Sequence, residues 1–482
     1  MFKWIYEGTK TGLVFLVKGA VLHSKTGADF SKKTDYLRYL SPNNKGLLVD
    51  GYSLKLSETM SFQNVCVIAS PGAGKTTRYI IPNVLEKAKS RCSIVVNDPK
   101  GEVFENTSKY MEENGYRVIL IDPENIARSS SFNPLLEVQN DIEIEQIAEI
   151  LIECGNPSKG DTFWNNGAKR FISLFLKCLR IASLDDKATF NLANLYLLLQ
   201  NFGEDGQALD SWIAINSVLP EEPKNPSLWN EWKGLLTGNK EGILSFVLNA
   251  ITALKAMANR DLAKITSRSD FELETIRSRK TIIYFVTPPQ HIEYYSFFTS
   301  LFFRSVFNTC MRQLPKSTDL PVFILYDEFG HSTIPNFVST ANTIRGYRVS
   351  LSIVLQSIAQ LSARYGKDYA YSIQGGFSTY ITYSGSDPET TQLFEKVMGR
   401  VRERQKKDFD DVVDQYKEYN LMNANEVRTI KEDQALLVCT NNNPVLLNSK
   451  PYFANSKYSR LASKGGIFVS NSNKPSPKLI KL

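Results

Sequence analysis

Short apolar runs rich in β-branched residues recur in two blocks of the chain, and most end in a polar or glycine-rich corner followed by a helical pattern. The first block predicts strands over residues 64–69, 93–97 and 117–121, and the second over 281–287, 322–326, 350–355 and 379–383. Runs apolar on both faces, separated by helical stretches, are the pattern of a parallel sheet covered by helices on each side. Between the blocks the texture changes. From about Ile142 to Glu274 the strand runs vanish, and Trp164, Ala168, Phe171, Phe175 and Cys178 recur at spacings of three and four, one apolar stripe of a helix. Ile243, Phe246, Val247, Ala250, Leu254, Met257 and Ala258 form a second stripe. The pattern predicts an α/β fold: a doubly wound domain with a mainly parallel sheet, interrupted by an inserted all-α domain.

Composition fits a chain that buries a core. Of 482 residues, 42% are hydrophobic and 22% charged, which excludes disorder as the main state. The 57 Lys and Arg against 50 Asp and Glu give a net charge of +7, too mild to demand nucleic acid as a partner. The longest apolar run near the start, Gly12 to Leu22, is broken by Lys18 and falls short of the roughly 20 residues that cross a bilayer. The expectation is a chain without a transmembrane helix or secretory signal, soluble without detergent and cytoplasmic. Six scattered cysteines, several inside apolar runs, read as core thiols, and His23, His291 and His331 lack metal-ligand spacing, so no zinc site is expected.

The strongest chemical signal is Ala69-Ser70-Pro71-Gly72-Ala73-Gly74-Lys75-Thr76-Thr77, which follows a predicted strand and opens a helix. This is a Walker A loop in its proper context. Glycines let the backbone turn its amides around phosphates, and the helix N-terminus adds its positive end. Lys75 would hold the β- and γ-phosphates of ATP, and the Thr76 hydroxyl a Mg2+ ion. Ala69 stands where the pattern has its first glycine. A second signal, Pro321-Val322-Phe323-Ile324-Leu325-Tyr326-Asp327-Glu328, is a buried strand ending in two carboxylates, as in a Walker B strand. Asp327 would hold the Mg2+ and Glu328 would orient and deprotonate the attacking water. Neighbouring residues of a strand point to opposite faces, so the two acids are expected in separate roles.

Further polar residues fall at strand ends. Gln356 follows the 350–355 strand, where a neutral amide would sense the γ-phosphate. Asp98, in Asn97-Asp98-Pro99-Lys100-Gly101-Glu102, ends the 93–97 strand and, with Lys100, would face the nucleotide or a neighbouring subunit. Arg345 and Arg348 flank Gly346-Tyr347; Arg345 is the candidate finger reaching an adjacent subunit's nucleotide, with Arg348 as the alternative. These motifs divide the chain into an N-terminal segment (1–60), a nucleotide-binding domain in two parts (61–141 and 276–455), the all-α insert (142–275) and a basic flexible tail (456–482).

In the order and spacing of its short motifs the chain resembles the TraG-like type IV secretion coupling proteins. The resemblance covers roughly residues 45 to 450 and rests on the Walker A loop with Ile81-Pro82-Asn83, on Asn97-Asp98-Pro99-Lys100-Gly101-Glu102 and Ser131-Phe132-Asn133-Pro134-Leu135, and on Phe163-Trp164, Tyr326-Asp327-Glu328-Phe329 and Leu355-Gln356-Ser357-Ile358-Ala359-Gln360. It implies a RecA-like P-loop NTPase with an all-α domain, assembled as a homo-hexamer, that hydrolyses ATP with Mg2+. It also implies recruitment of relaxase-bound single-stranded DNA, the relaxosome, to type IV secretion channel proteins. Most relatives begin with transmembrane helices. Here the segment from Phe2 to Leu22, with Trp4, Ile5, Leu13 and Phe15 between lysines, would lie on the inner face of the plasma membrane, meet a membrane-anchored partner or pack on the motor. Two other functions stay open: a motor for protein effectors, and a nucleotide-gated adaptor with little turnover.

Overall fold

A computed structural model describes residues 25–155, 162–219, 221, 225–404, 416–439, 441–467 and 474–482. The strands in chain order are β1 (Lys25–Gly27), β2 (Val65–Ile68), β3 (Ser93–Asn97), β4 (Arg117–Ile121), β5 (Thr281–Phe285), β6 (Val322–Tyr326) and β7 (Val349–Leu355), followed by β8 (Thr379–Tyr383), β9 (Arg400–Arg404), β10 (Tyr416–Asn420), β11 (Gln434–Cys439) and β12 (Val445–Asn448). Nine of them form one sheet in the order β12-β11-β8-β2-β7-β6-β3-β5-β4. From β8 to β4 every pairing is parallel, and β11 and β12 close one edge in antiparallel fashion. The parallel set is the seven runs predicted from the sequence. Strands β11 and β12 and a small antiparallel sheet, β1-β9-β10, are additional.

The runs are apolar throughout because each strand feeds two cores. Val65, Ile94, Phe323 and Leu325 face one core, while Cys66, Ile68, Val95 and Ile324 face the other. That second core continues without a break into the helical insert. There the helix Thr162–Ala182 buries Ala168, Phe171, Phe175 and Cys178, as its stripe predicts. In the second stripe the helix Lys240–Ala253 ends before Leu254; Leu254 and Met257 remain buried and Ala258 is exposed. Trp232 sits fully buried at the centre, with ring centroids 5.8 Å from Phe175 and 5.9 Å from Phe202, and its indole N–H donates to Asp210 Oδ1 at 2.7 Å. Trp232→Ala is expected to destabilise the insert by about 3–5 kcal/mol, read as a lower urea midpoint in far-UV circular dichroism.

The basic segment after Ser456, expected as a flexible tail, is structured in two places. Ser456–Ala462 is a helix that buries Tyr458 and Ala462, and Lys457 pairs with Glu86 at 2.6 Å. Residues 474–482 lie against the helical insert, held by Asp270 and Asp186. Composition alone reads such a stretch as solvated because its acidic partners are remote in sequence. The Phe2 to Leu22 segment lies outside the described residues. Among the described residues no helix is long and apolar enough to cross a membrane, and the six cysteines are free, five of them buried.

Candidate nucleotide site

The loop between β2 and the following helix is shaped by two left-handed glycines, Gly72 at φ 81° and Gly74 at φ 84°. A side chain at Gly74 would be strained by that φ and would meet Thr77 Oγ1 at 3.0 Å. Ala69 has no such φ, which explains why the first glycine of the pattern is dispensable here. The helix after the loop begins with a π turn, Thr76–Ile80, and continues as Ile81–Lys87. Pro82 accounts for the widened turn, because it has no N–H to give to the preceding turn and its ring crowds the carbonyl there.

Lys75 is nearly buried at 8% exposure, and its ammonium donates to the carbonyls of Ala69 at 2.7 Å and Ser70 at 3.3 Å. Burial lowers its pKa, while the carboxylates of Glu328 and Asp327 pull it back up. Thr76 Oγ1 donates to Asp327 Oδ2 at 3.0 Å, which joins the loop to the acidic end of β6. Burial, and then the charge of Glu328, push the Asp327 carboxyl up to about 6.

Glu328 corrects the expectation that the two acids face apart. Its backbone is left-handed, at φ 53°, so the strand has ended and the chain turns the carboxylate back beside Asp327. A non-glycine residue in that conformation costs of order 1–3 kcal/mol. The Gln356 side-chain amide donates to both Glu328 oxygens at 2.9 Å, holding the carboxylate in place. Gln356 thus stands in the cavity lining, with its amide on Glu328.

These residues line one cavity of about 450 Å³ with Pro71, Gly72, Gly74, Thr77, Asp98, Lys100 and Glu102. Its remaining walls are Pro99, Pro289, Ile292 and His331, the last three missed by the sequence reading. His331 lies three residues beyond Glu328, and its Nδ1–H donates to Glu293 Oε1 at 3.3 Å. Pro289 and Ile292 belong to the loop after β5, and only the adjacency of β5 to β3 in the sheet would have flagged them. Asp98 stands in the wall, yet its Oδ2 accepts from the Phe104 N–H at 2.8 Å and so caps the helix Glu102–Glu113. Its burial pushes the carboxyl up to about 7. Ser70 donates to the Gly385 carbonyl at the rim, and Ala73 packs against the sheet-side core.

The two arginines part company. Arg348 is tied by its guanidinium to the Asp319 carbonyl at 3.1 Å, a structural role. Arg345 is exposed, its guanidinium without a hydrogen bond or ion pair among the described residues, while its carbonyl accepts from the Arg348 N–H at 3.2 Å. It precedes the N-terminal end of β7, whereas Gln356 and the cavity lie past the C-terminal end. Seven residues of strand, at about 3.3 Å each, put it some 20 Å from its own chain's cavity.

Several motif asparagines are structural. Asn83 brackets Leu48, accepting from its N–H at 2.8 Å and donating to its carbonyl at 2.9 Å. Asn97 donates to the Asp327 carbonyl at 2.7 Å, and Asn133 to the Phe190 carbonyl at 2.7 Å, tying β3 to β6 and the insert to the sheet domain.

The fold is shared with known structures of the plasmid coupling protein TrwB. One form in complex with ADP and Mg2+ superposes with a TM-score of 0.67 at 13% identity, covering 88% of this chain and 96% of that one. In sequence, the protein VirD4 of Rhizobium rhizogenes is 26% identical over 347 residues, 69% of this chain and 49% of that protein. The conjugal transfer protein TraG of Rhizobium radiobacter is 23% identical over 354 residues, 69% of this chain and 52% of that protein. The chain therefore spans about half the length of the curated relatives it matches. The profile of the family described as Type IV secretory system Conjugative DNA transfer matches residues 27–476, and the chain belongs to that family.

Proposed function

We propose that the chain is an ATP-hydrolysing coupling protein that brings relaxase-bound single-stranded DNA to a type IV secretion channel. The observation that carries this reading is the 3.0 Å contact from Thr76 to Asp327, with Glu328 and Lys75 in the same cavity. It assembles the phosphate loop, a hard-oxygen donor pair and a general base at one sheet edge. The donor pair fits Mg2+, which takes oxygen ligands and keeps several waters. Thr76 and Asp327 would hold the ion, which supplies charge neutralisation at the phosphates.

The chain's own residues do the rest. Loop amides between Gly72 and Thr76 bind phosphate oxygens, and Lys75 leaves the Ala69 carbonyl to reach them. Glu328, oriented by Gln356, takes the proton of the attacking water. Support for the nucleotide comes from TrwB, whose structures include complexes with ADP and Mg2+ and with an ATP analogue. Hydrolysis measured with and without single-stranded DNA tests the reading. DNA stimulation supports a DNA motor, whereas turnover indifferent to DNA turns the reading toward protein effectors.

The exposed Arg345, remote from its own cavity, is suited to serve a neighbour's site in a closed homo-hexameric ring. Arg345→Ala is expected to lower turnover by about a hundredfold while sparing ATP binding. Mixing it with Lys75→Ala should restore activity, since some interfaces then join two intact partners. Full activity of Arg345→Ala at every protein concentration would remove the finger. The ring would act at the inner face of the plasma membrane, joined to channel proteins or to a membrane-anchored partner.

A further inference from the structure

The last nine residues are read by the helical insert as a ligand would be. Lys474 buries its side chain to 3% exposure and donates to Asp270 Oδ2 at 2.6 Å and Ser131 Oγ at 3.1 Å. Four residues on, Lys478 pairs with Asp186. The Lys478 carbonyl accepts from Asn194 Nδ2 at 2.9 Å and Asn191 Nδ2 at 3.2 Å, and the Ile480 N–H donates to Asn194 Oδ1 at 3.0 Å. One side-chain amide thus reads a carbonyl and an N–H two residues apart, as the edge of a β-sheet would.

Asn194 is the informative residue. It sits fully buried on the helix Leu192–Gln200 among Leu192, Leu195, Leu198 and Leu199. Among the described residues its Oδ1 accepts from Ile480 alone. A polar group in such a position is costly unless it is partnered, and the described residues of the insert supply no partner for that oxygen. The partner comes from the peptide. Pro475 and Pro477 favour an extended backbone between the two lysines, which lowers the ordering cost of docking.

We propose that this groove is a peptide-reading site for a basic extended segment with lysines four residues apart and a free N–H two residues after the second. The chain's own end fills it in cis, and a partner protein carrying a segment of the same chemistry competes for it. The contacts are few and mostly polar, so occupancy by the tethered segment rests largely on its high effective concentration. Ile480 also packs against the core, so a competitor must cover that face and Asn194 in its turn.

A fluorescein-labelled peptide of residues 474–482 tests this against two full-length chains, wild type and Ile480→Pro. The substitution removes the N–H that Asn194 accepts and the Ile480 side chain packed on the core, and so loosens the tethered segment without altering the residues of the groove. By fluorescence anisotropy the peptide is expected to bind the Ile480→Pro chain at least tenfold more tightly than wild type. A peptide N-methylated at Ile480 is expected to lose that binding. Absence of binding to the Ile480→Pro chain, equal affinity for the two chains, or indifference to N-methylation would each overturn the proposal.

Discussion

Lys75→Ala is expected to reduce ATP hydrolysis at least about a hundredfold, to the background of the assay. The ammonium lies within the loop, bonded to the Ala69 and Ser70 carbonyls and attracted by the Glu328 and Asp327 carboxylates. Without it, the two carboxylates face the incoming triphosphate with less compensating positive charge, so ATP binding should weaken together with turnover. The carbonyls it bonds, Ala69 and Ser70, belong to the same loop, so the thermal midpoint should move by no more than a few degrees. Turnover within a few-fold of wild type would show that the cavity is not the hydrolytic site.

Glu328→Gln is expected to separate binding from chemistry. The amide keeps the shape and length of the side chain but cannot accept the water's proton, a function worth about 10² to 10⁴ in rate. Gln356 can still hold residue 328 by turning its own amide, so that its oxygen accepts where its nitrogen now donates. ATP affinity should therefore remain within a few-fold of wild type, by equilibrium binding of a fluorescent ATP analogue, while turnover falls at least a hundredfold. Equal loss of binding and turnover would make Glu328 a structural or metal-binding residue.

The parts of the site that were legible in the sequence are those fixed by local covalent geometry. Gly72 and Gly74 announce left-handed turns, and Lys75 and Thr76 follow at fixed offsets in the same loop. The seven parallel strands were legible because both faces of each are buried, which leaves uninterrupted apolar runs. The orientation of Glu328 was hidden, since nothing in the sequence signals that a glutamate adopts a positive φ. His331, Pro289 and Ile292 were hidden because their place depends on which strands become neighbours. Strands β9 and β10 carry Arg400, Arg402, Lys417 and Glu418, and so show no apolar alternation to read. The docked end was hidden for a related reason: lysine, proline and serine imply solvation until Asp270 and Asn194, hundreds of residues away, are brought against them.

The most direct measurement of the central claim is steady-state ATP hydrolysis by the wild-type chain, with Mg2+ and single-stranded DNA, across a range of protein concentrations. The account predicts turnover per subunit that rises with concentration, as sites completed by a neighbour's Arg345 form, rises again with DNA, and vanishes in Lys75→Ala. Turnover no greater than that of Lys75→Ala at every concentration would contradict it.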